Sequence, residues 1–159
     1  MAPSVCPCCR PSLTFGDGEV VYVSRRGVSH GDIRDIQVAW FADGGATWSQ
    51  PSGIAEDNWR LNACPHSGAS IAVLGRRLFV AWHTVREGTG QLYFAWSDDS
   101  GKTFSPRTNL RGTVVDANHP SLVAHGGKIG VVFQFKAVIR TRMRVGQTEC
   151  LLSRDRRAG

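Results

Sequence analysis

Three thiols and a guanidinium open the chain: Cys6, Cys8 and Cys9 form a C-x-C-C cluster directly ahead of Arg10, and Cys64 and His66 follow further on. Thiolates and imidazoles are ligands for zinc or copper, so Cys6, Cys8, Cys9, Cys64 and His66 make one metal-binding alternative, at a spacing that fits no common metal motif. The other reading is a disulfide from Cys64 to one of the cluster, which would tie the chain start to the 58–66 segment and suit an exported protein. An odd cysteine count leaves at least one thiol unpaired in a monomer. Cys150, in the apolar run Cys150 to Leu152, reads as a packed core residue. The working expectation is no cofactor and no metal, with the thiol cluster as the alternative.

A second group is cationic. Arg10, Arg25, Arg26, Arg34, Arg60, His66 and His119 fall in segments that lead into or out of apolar runs, with the carboxylates Asp32 and Asp35 among them. Guanidinium forks match carboxylate oxygens, so this set could bind an anionic ligand, and Trp59 in Asp57-Asn58-Trp59-Arg60 could stack on a sugar ring. The plainer reading pairs Arg10 with Asp32 or Asp35 in a structural bridge and makes His83 and His119 hydrogen-bonded fittings. Asp32 follows Gly31 in an exposed loop and is the preferred functional carboxylate; Asp35, just before the strand at Ile36, reads as a strand-opening residue. The basic run Arg140 to Arg144 has no aromatic stacking platform beside it, so it reads as a solvated hairpin loop and no nucleic-acid partner is expected.

The elements that must position these residues come from a repeat. The octapeptide Ser-x-Asp-x-Gly-x-Thr-aromatic is intact at Ser97, Asp99, Gly101, Thr103 and Phe104, and recurs at Asp43, Gly45, Thr47 and Trp48 with Phe41 in the serine place. One further step of the same length lands on Asp155, preceded by Ser153. The aspartate can accept hydrogen bonds from turn amides, the glycine permits positive φ, and the aromatic returns the chain to the core. Around each fastener run apolar segments of strand length: Ser12 to Phe15, Val20 to Ser24 and Ile36 to Trp40; Ala69 to Val73, Leu78 to Trp82 and Leu92 to Ser97; Ser121 to Ala124, Ile129 to Phe135 and Glu149 to Ser153. Repeated four-stranded antiparallel sheets mean an all-β propeller, with blades at about 10–51, 66–106 and 119–159, the last cut off inside its fastener. Arg10, His66 and His119 stand at equivalent approaches to the innermost strands and are expected to converge on the ring centre, where a cationic mouth would attract anions.

At 159 residues, with 19 Lys and Arg against 13 Asp and Glu, 42% hydrophobic residues and 18 glycines, the chain is one basic, turn-rich globular domain. No stretch is long and apolar enough to span a membrane, and no charged segment followed by an apolar one marks a secretion signal within it.

The octapeptide resembles the Asp box, or BNR repeat, of the sialidase superfamily. The order Arg10-Pro-Ser-Leu, strand, Arg25-Arg26, Asp32, Asp35, strand, fastener is similar to the opening blade of bacterial sialidase-like propellers, and the thiol cluster with the Asn58 to His66 stretch resembles one bacterial branch of them. The resemblance implies a six-bladed ring of which this chain supplies three blades, so that a homodimer would close it. It also implies a secreted or periplasmic location and a glycoside hydrolase of exo-α-sialidase type. On it, Arg10 matches the first of three carboxylate-clamping arginines, with Arg-Pro-Ser where the family has Arg-Ile-Pro, and Asp32 or Asp35 falls near the acid/base aspartate. The later clamp arginines, the tyrosine nucleophile and its glutamate lie in blades that this chain lacks; Tyr22 and Tyr93 sit inside strands. The expected ligand is therefore an anionic sugar or carboxylate, without hydrolysis by a single chain. The alternative is a noncatalytic binding or assembly module.

Overall fold

The computed structural model describes residues 4–110, 115–139 and 142–154, with side chains at 4–110 and 116–136. The backbone is all β: no helix occurs among the described residues, hence none long and apolar enough to cross a membrane. Three antiparallel sheets follow one another along the chain.

Sheet 1 holds β1 (Ser4–Val5), β2 (Ser12–Phe15), β3 (Val21–Val28), β4 (Ile36–Phe41) and β5 (Ser52–Gly53). β1 and β2 lie end to end along one edge of β3, pairing Val5 with Gly27 and Ser12 with Ser24. Between them the chain leaves the ladder at Cys6-Pro7-Cys8-Cys9, where Pro7 and Pro11 have no amide to offer it. Sheet 2 holds β6 (Ala69–Leu74), β7 (Arg77–Thr84), β8 (Gln91–Ser97) and β9 (Thr108–Asn109); sheet 3 holds β10 (Val115–His125), β11 (Lys128–Ile139) and β12 (Arg142–Arg154). The third hairpin is longer than the apolar runs indicated, because pairing continues beyond Phe135 through a register shift and carries Ile139 opposite Arg142. Arg142 and Arg144, read as part of a loop, therefore belong to β12. Residues 140 and 141, and the third fastener at Asp155, lie outside the described residues.

Strand periodicity explains how the sheets stack. Alternate side chains of β7 point to opposite faces: Leu78, Val80 and Trp82 meet Tyr22, Ile36, Val38 and Ile54 of sheet 1, whereas Phe79 meets Leu122, Ala124 and Ile129 of sheet 3. Sheet 2 is covered on both faces, so β7 is buried almost end to end and reads as a continuous apolar run. Trp82 and Leu78 are each 1% exposed, a burial that contributes roughly 1.5–3 kcal/mol for a side chain of this kind. The outer sheets each keep one uncovered face, which leaves Leu13, Phe15 and Val123 exposed.

Both octapeptides close as hydrogen-bonded fasteners. Asp99 Oδ1 accepts the amides of Lys102 (3.1 Å) and Thr103 (2.9 Å), Oδ2 accepts the Thr103 hydroxyl (2.6 Å), and Ser97 Oγ donates to Asp99 Oδ1 (2.7 Å) while accepting the Gly101 amide (2.8 Å). These donors hold the Asp99 carboxyl down at about 2. Asp43 accepts the Thr47 amide and hydroxyl in the same way. One residue further, Ser49 and Ser105 each donate an amide to a tryptophan carbonyl, Trp40 and Trp96, and accept that tryptophan's amide on Oγ. The fastener thus runs one serine beyond the octapeptide.

Adjacent sheets are also joined by a serine ladder at the inner strands. Ser12 Oγ accepts the amide of Ile71 (3.3 Å), and Ser70 Oγ accepts the amide of Leu122 (2.9 Å). Ile71 follows Ser70 and Leu122 follows Ser121, so the same bond recurs from sheet to sheet.

Candidate functional site

The approaches to β2 and β6 and the lead-in within β10 bring Arg10, His66 and His119 to one open cavity of about 690 Å3. Its wall continues with Ser12, Ser70 and Ser121, Cys8 and Gln134. His66 and His119 both have left-handed backbone, at φ 51° and 48°, which turns the chain sharply just before each inner-strand serine. Gly68 makes the closest approach: a β-carbon there would stand 1.9 Å from the Arg10 carbonyl oxygen. Glycine at this position is what lets the 66–68 segment dock on the Arg10 backbone. All three basic side chains are exposed to solvent, and His119 Nδ1 lies 2.7 Å from Asn118 Oδ1. Among the described residues no carboxylate lines the cavity. A concave site of this size, lined by basic groups and hydroxyls, is suited to an anionic or polyhydroxylated small molecule.

The remaining residues read as ligand-binding are placed elsewhere. Arg26, on β3, is 1% exposed and donates to the carbonyls of Ser67 (2.9 Å), His83 (2.7 Å) and Arg34. Burial lowers its guanidinium to about 10, partly offset by the neighbouring thiols and Asp35. It ties sheet 1 to sheet 2 and has no free face for a ligand. Trp59 is likewise 7% exposed, stacked beneath Arg26 (5.1 Å from the guanidinium carbon to the ring centre) and edge-on to His83. It is a core aromatic here and not a sugar platform, because the 57–61 segment folds back onto β3 and β7. Arg25 lies on the outer face of sheet 1, bonded to Gln37 (3.1 Å). Arg34 donates to the Leu61 carbonyl (3.0 Å), and Arg60 lies against Gly31.

Neither Asp32 nor Asp35 reaches the cavity. The Asp32 carbonyl accepts the Leu61 amide (3.0 Å) in a pairing that also joins Arg34 to Trp59. Asp35 caps the same segment, accepting the amides of Asn58 (3.2 Å) and Trp59 (3.4 Å); burial raises its carboxyl, opposed by those amides. The bridge from Arg10 to either aspartate does not form among the described residues. Two further polar residues are central to the packing, Asp57 and His83, the latter read from sequence as a hydrogen-bonded fitting. Asp57, 2% exposed, accepts the Trp82 indole N–H (2.7 Å) and pairs with Arg107. His83 is buried with Nδ1 unpartnered, and burial, helped by Arg26 and His119, lowers it to about 4. Tyr93 donates to Glu87 (3.1 Å), and burial and that carboxylate both raise its phenol, so it is held neutral.

Four cysteine sulfurs meet beside the cavity. Cys8 and Cys64 are joined as a disulfide with Cα atoms 6.4 Å apart, so the chain start is tied to the 58–66 segment. Cys6 and Cys9 are buried next to it. Burial and Cys6 push the Cys9 thiol up to about 11. His66 faces the cavity instead of the sulfurs. Cys150 lies in β12, its side chain outside the described residues.

The architecture recurs in solved glycoside hydrolases. An α-L-arabinanase of Penicillium chrysogenum complexed with arabinobiose matches at TM-score 0.63 and 14% identity, over 93% of this chain and 47% of that one. An α-L-arabinofuranosidase of Fusarium graminearum in complex with an iminosugar inhibitor matches at 0.59 and 14%, over 92% and 46%. A GH43_1 enzyme from Xanthomonas citri matches at 0.56 and 18%, over 82% and 42%. At these identities the likeness is one of fold, that of the β-propeller glycosidases, and the chain spans a little under half the length of each. The sialidase expectation is corrected to that extent: these three are related propeller glycosidases, and none is a sialidase. No family model and no curated protein matches the sequence.

Proposed function

We propose that the chain is half of a propeller ring whose centre binds an anionic sugar or other carboxylate, without hydrolysing it. The observation that carries the reading is the convergence of Arg10, His66 and His119 on one cavity that no carboxylate lines among the described residues. A glycosidase needs an acid and a nucleophile or base flanking the bond, and Asp32 and Asp35 both lie outside the cavity, Asp35 as a cap on the Asn58 and Trp59 amides. The noncatalytic binding module is therefore preferred over a sialidase-type enzyme.

Ring closure by a second copy is supported by the inner-strand serines. Ser12 and Ser70 each bond the residue after the next inner-strand serine. The unused ends of this ladder are Ser121 and Leu13, both exposed. In a six-bladed homodimer, Ser121 Oγ of one chain would accept the Leu13 amide of the other. Leu13 and Phe15 occupy the places that Ile71 and Val73 fill against sheet 1, so their exposure marks a missing preceding blade.

Titration calorimetry with N-acetylneuraminate, galacturonate and arabinobiose tests the site, and light scattering tests the ring. The expected results are binding of at least one acid sugar, weakened tenfold or more by Arg10→Ala, and a mass twice 17.3 kDa. Binding of arabinobiose alone would refute the anion reading, and a monomer at micromolar concentration would refute the ring.

A further inference from the structure

The sulfur cluster is used by nothing above. From Cys6 Sγ, the sulfurs of Cys9, Cys8 and Cys64 lie at 2.7, 3.5 and 3.8 Å. Those of Cys6, Cys8 and Cys64 all fall within 4.8 Å of one another. A tetrahedral zinc thiolate, with Zn–S near 2.3 Å, spaces its sulfurs roughly 3.8 Å apart. The donors come from two segments held independently. The Cys6 amide donates to the Arg26 carbonyl (3.0 Å) and the Cys9 amide to the Cys6 carbonyl (3.3 Å), while Cys64 arrives from the segment before β6.

We propose that the reduced chain binds one thiophilic d10 cation, with Zn2+ as the reference ion, through Cys6, Cys8 and Cys64, the three whose sulfurs lie within reach of one another. The surroundings suit the charge such a centre would carry. Three thiolates on a divalent cation leave one net negative charge, and a buried anion needs a counter-charge and donors. Arg26, whose carbonyl accepts the Cys6 amide, brings a buried positive charge that acts on Cys6. The Cys9 thiol, 2.7 Å from the Cys6 sulfur, is placed to donate to it. The Cys8–Cys64 disulfide is then the two-electron oxidised form of the site. A phosphine or dithiol returns both thiols, and binding releases three thiol protons as three sulfur–metal bonds form, leaving the fourth tetrahedral position to water.

The test uses the full chain, reduced anaerobically with a phosphine, desalted and titrated with Co2+ and then Zn2+. The expected result is one equivalent of Co2+ giving thiolate-to-cobalt charge-transfer and tetrahedral d–d bands, bleached by one equivalent of Zn2+. Native mass spectrometry should show one metal per chain. Cys6→Ser and Cys64→Ser should weaken binding tenfold or more, and Cys150→Ser should not. Absence of the cobalt bands in the wild-type chain overturns the proposal without reliance on any variant. So does unchanged affinity in Cys6→Ser, or a reduced chain that takes up no metal and reoxidises to two disulfides. None of these outcomes depends on the cavity's ligand.

Discussion

His83 should make this protein lose stability on mild acidification well before its carboxylates are protonated. The ring is 8% exposed, edge-on to Trp59, and its titrating neighbours are Arg26, His119 and Asp116. Burial is the main cause that brings its pKa from 6.5 to about 4, with Arg26 and His119 adding to the shift and Asp116 opposing it. The sign follows from linkage. Between those two values the unfolded chain binds a proton that the folded chain does not, so stability rises with pH across this window and falls as pH drops below the unfolded value. Going from about pH 7 to about pH 4.5 should cost roughly 2 kcal/mol through this one residue. Urea unfolding at both values, at one protein concentration, measures the loss, and His83→Gln should remove most of the difference because glutamine takes up no proton. Parallel losses in wild type and His83→Gln would refute the reasoning, as would a histidine resonance assigned to residue 83 that titrates near its ordinary value.

Three further outcomes follow from the packing. Asp57→Ala should cost about 3 kcal/mol, because it strands the buried Trp82 indole N–H and the Arg107 charge together; Asp57→Asn, which keeps an acceptor for the indole, should cost less, and equal midpoints for the two in urea would contradict this. Gly68→Ala places a methyl against the Arg10 carbonyl and should cost about 3 kcal/mol, whereas Gly53→Ala, with open space around it, should leave the melting temperature unchanged. Asp99, held at about 2 by its fastener, contributes stability that is present above the ordinary carboxylate value and lost as pH falls toward 2. Asp99→Ala should therefore flatten the acid limb below about pH 4 while leaving the His83 window intact.

The parts of this fold that were legible in sequence are those fixed by short-range chemistry. An aspartate, a glycine and a threonine within five residues can satisfy one another, so both fasteners were readable from residue types, and the strands around them from their apolar runs. The extension to Ser49 and Ser105 had a signal too, since both copies place serine after the aromatic, but the repeat was closed one residue short. Arg10, His66 and His119 were legible as equivalents because each comes shortly before an inner-strand serine, Ser12, Ser70 and Ser121. What short-range chemistry could not disclose was burial. Arg26 and Trp59 look like ligand residues in a list of side chains. Arg26 is internal because the carbonyls of Ser67 and His83, more than forty residues away in sequence, accept its guanidinium, and Trp59 because it lies against that guanidinium and the His83 ring. Where Asp32 and Asp35 stand was equally out of reach, since the Asp35 cap on Asn58 and Trp59 and the backbone pairing of residue 32 with Leu61 both depend on where the 57–61 segment lands.

That segment links the two halves of the functional argument. Residues 57–61 fold onto β3 and β7, and the chain then runs through Cys64 to His66 and Gly68, which dock on Arg10. Cys6, Cys8 and Cys9 immediately precede Arg10. The lead-in that presents Arg10 to the cavity and the one that presents His66 are therefore joined just outside it by the sulfur cluster, and just inside it by the Gly68 contact with the Arg10 carbonyl. Whichever bond holds the sulfurs, disulfide or metal thiolate, it fixes the separation of two of the three basic groups at the site. Reducing the cluster without restoring a metal should thus weaken anion binding through Arg10 and His66 while leaving the sheet 2 to sheet 3 packing unchanged. Calorimetry on oxidised, reduced and zinc-loaded chains separates these effects: equal affinity in all three states would show that the Gly68 contact alone positions the site.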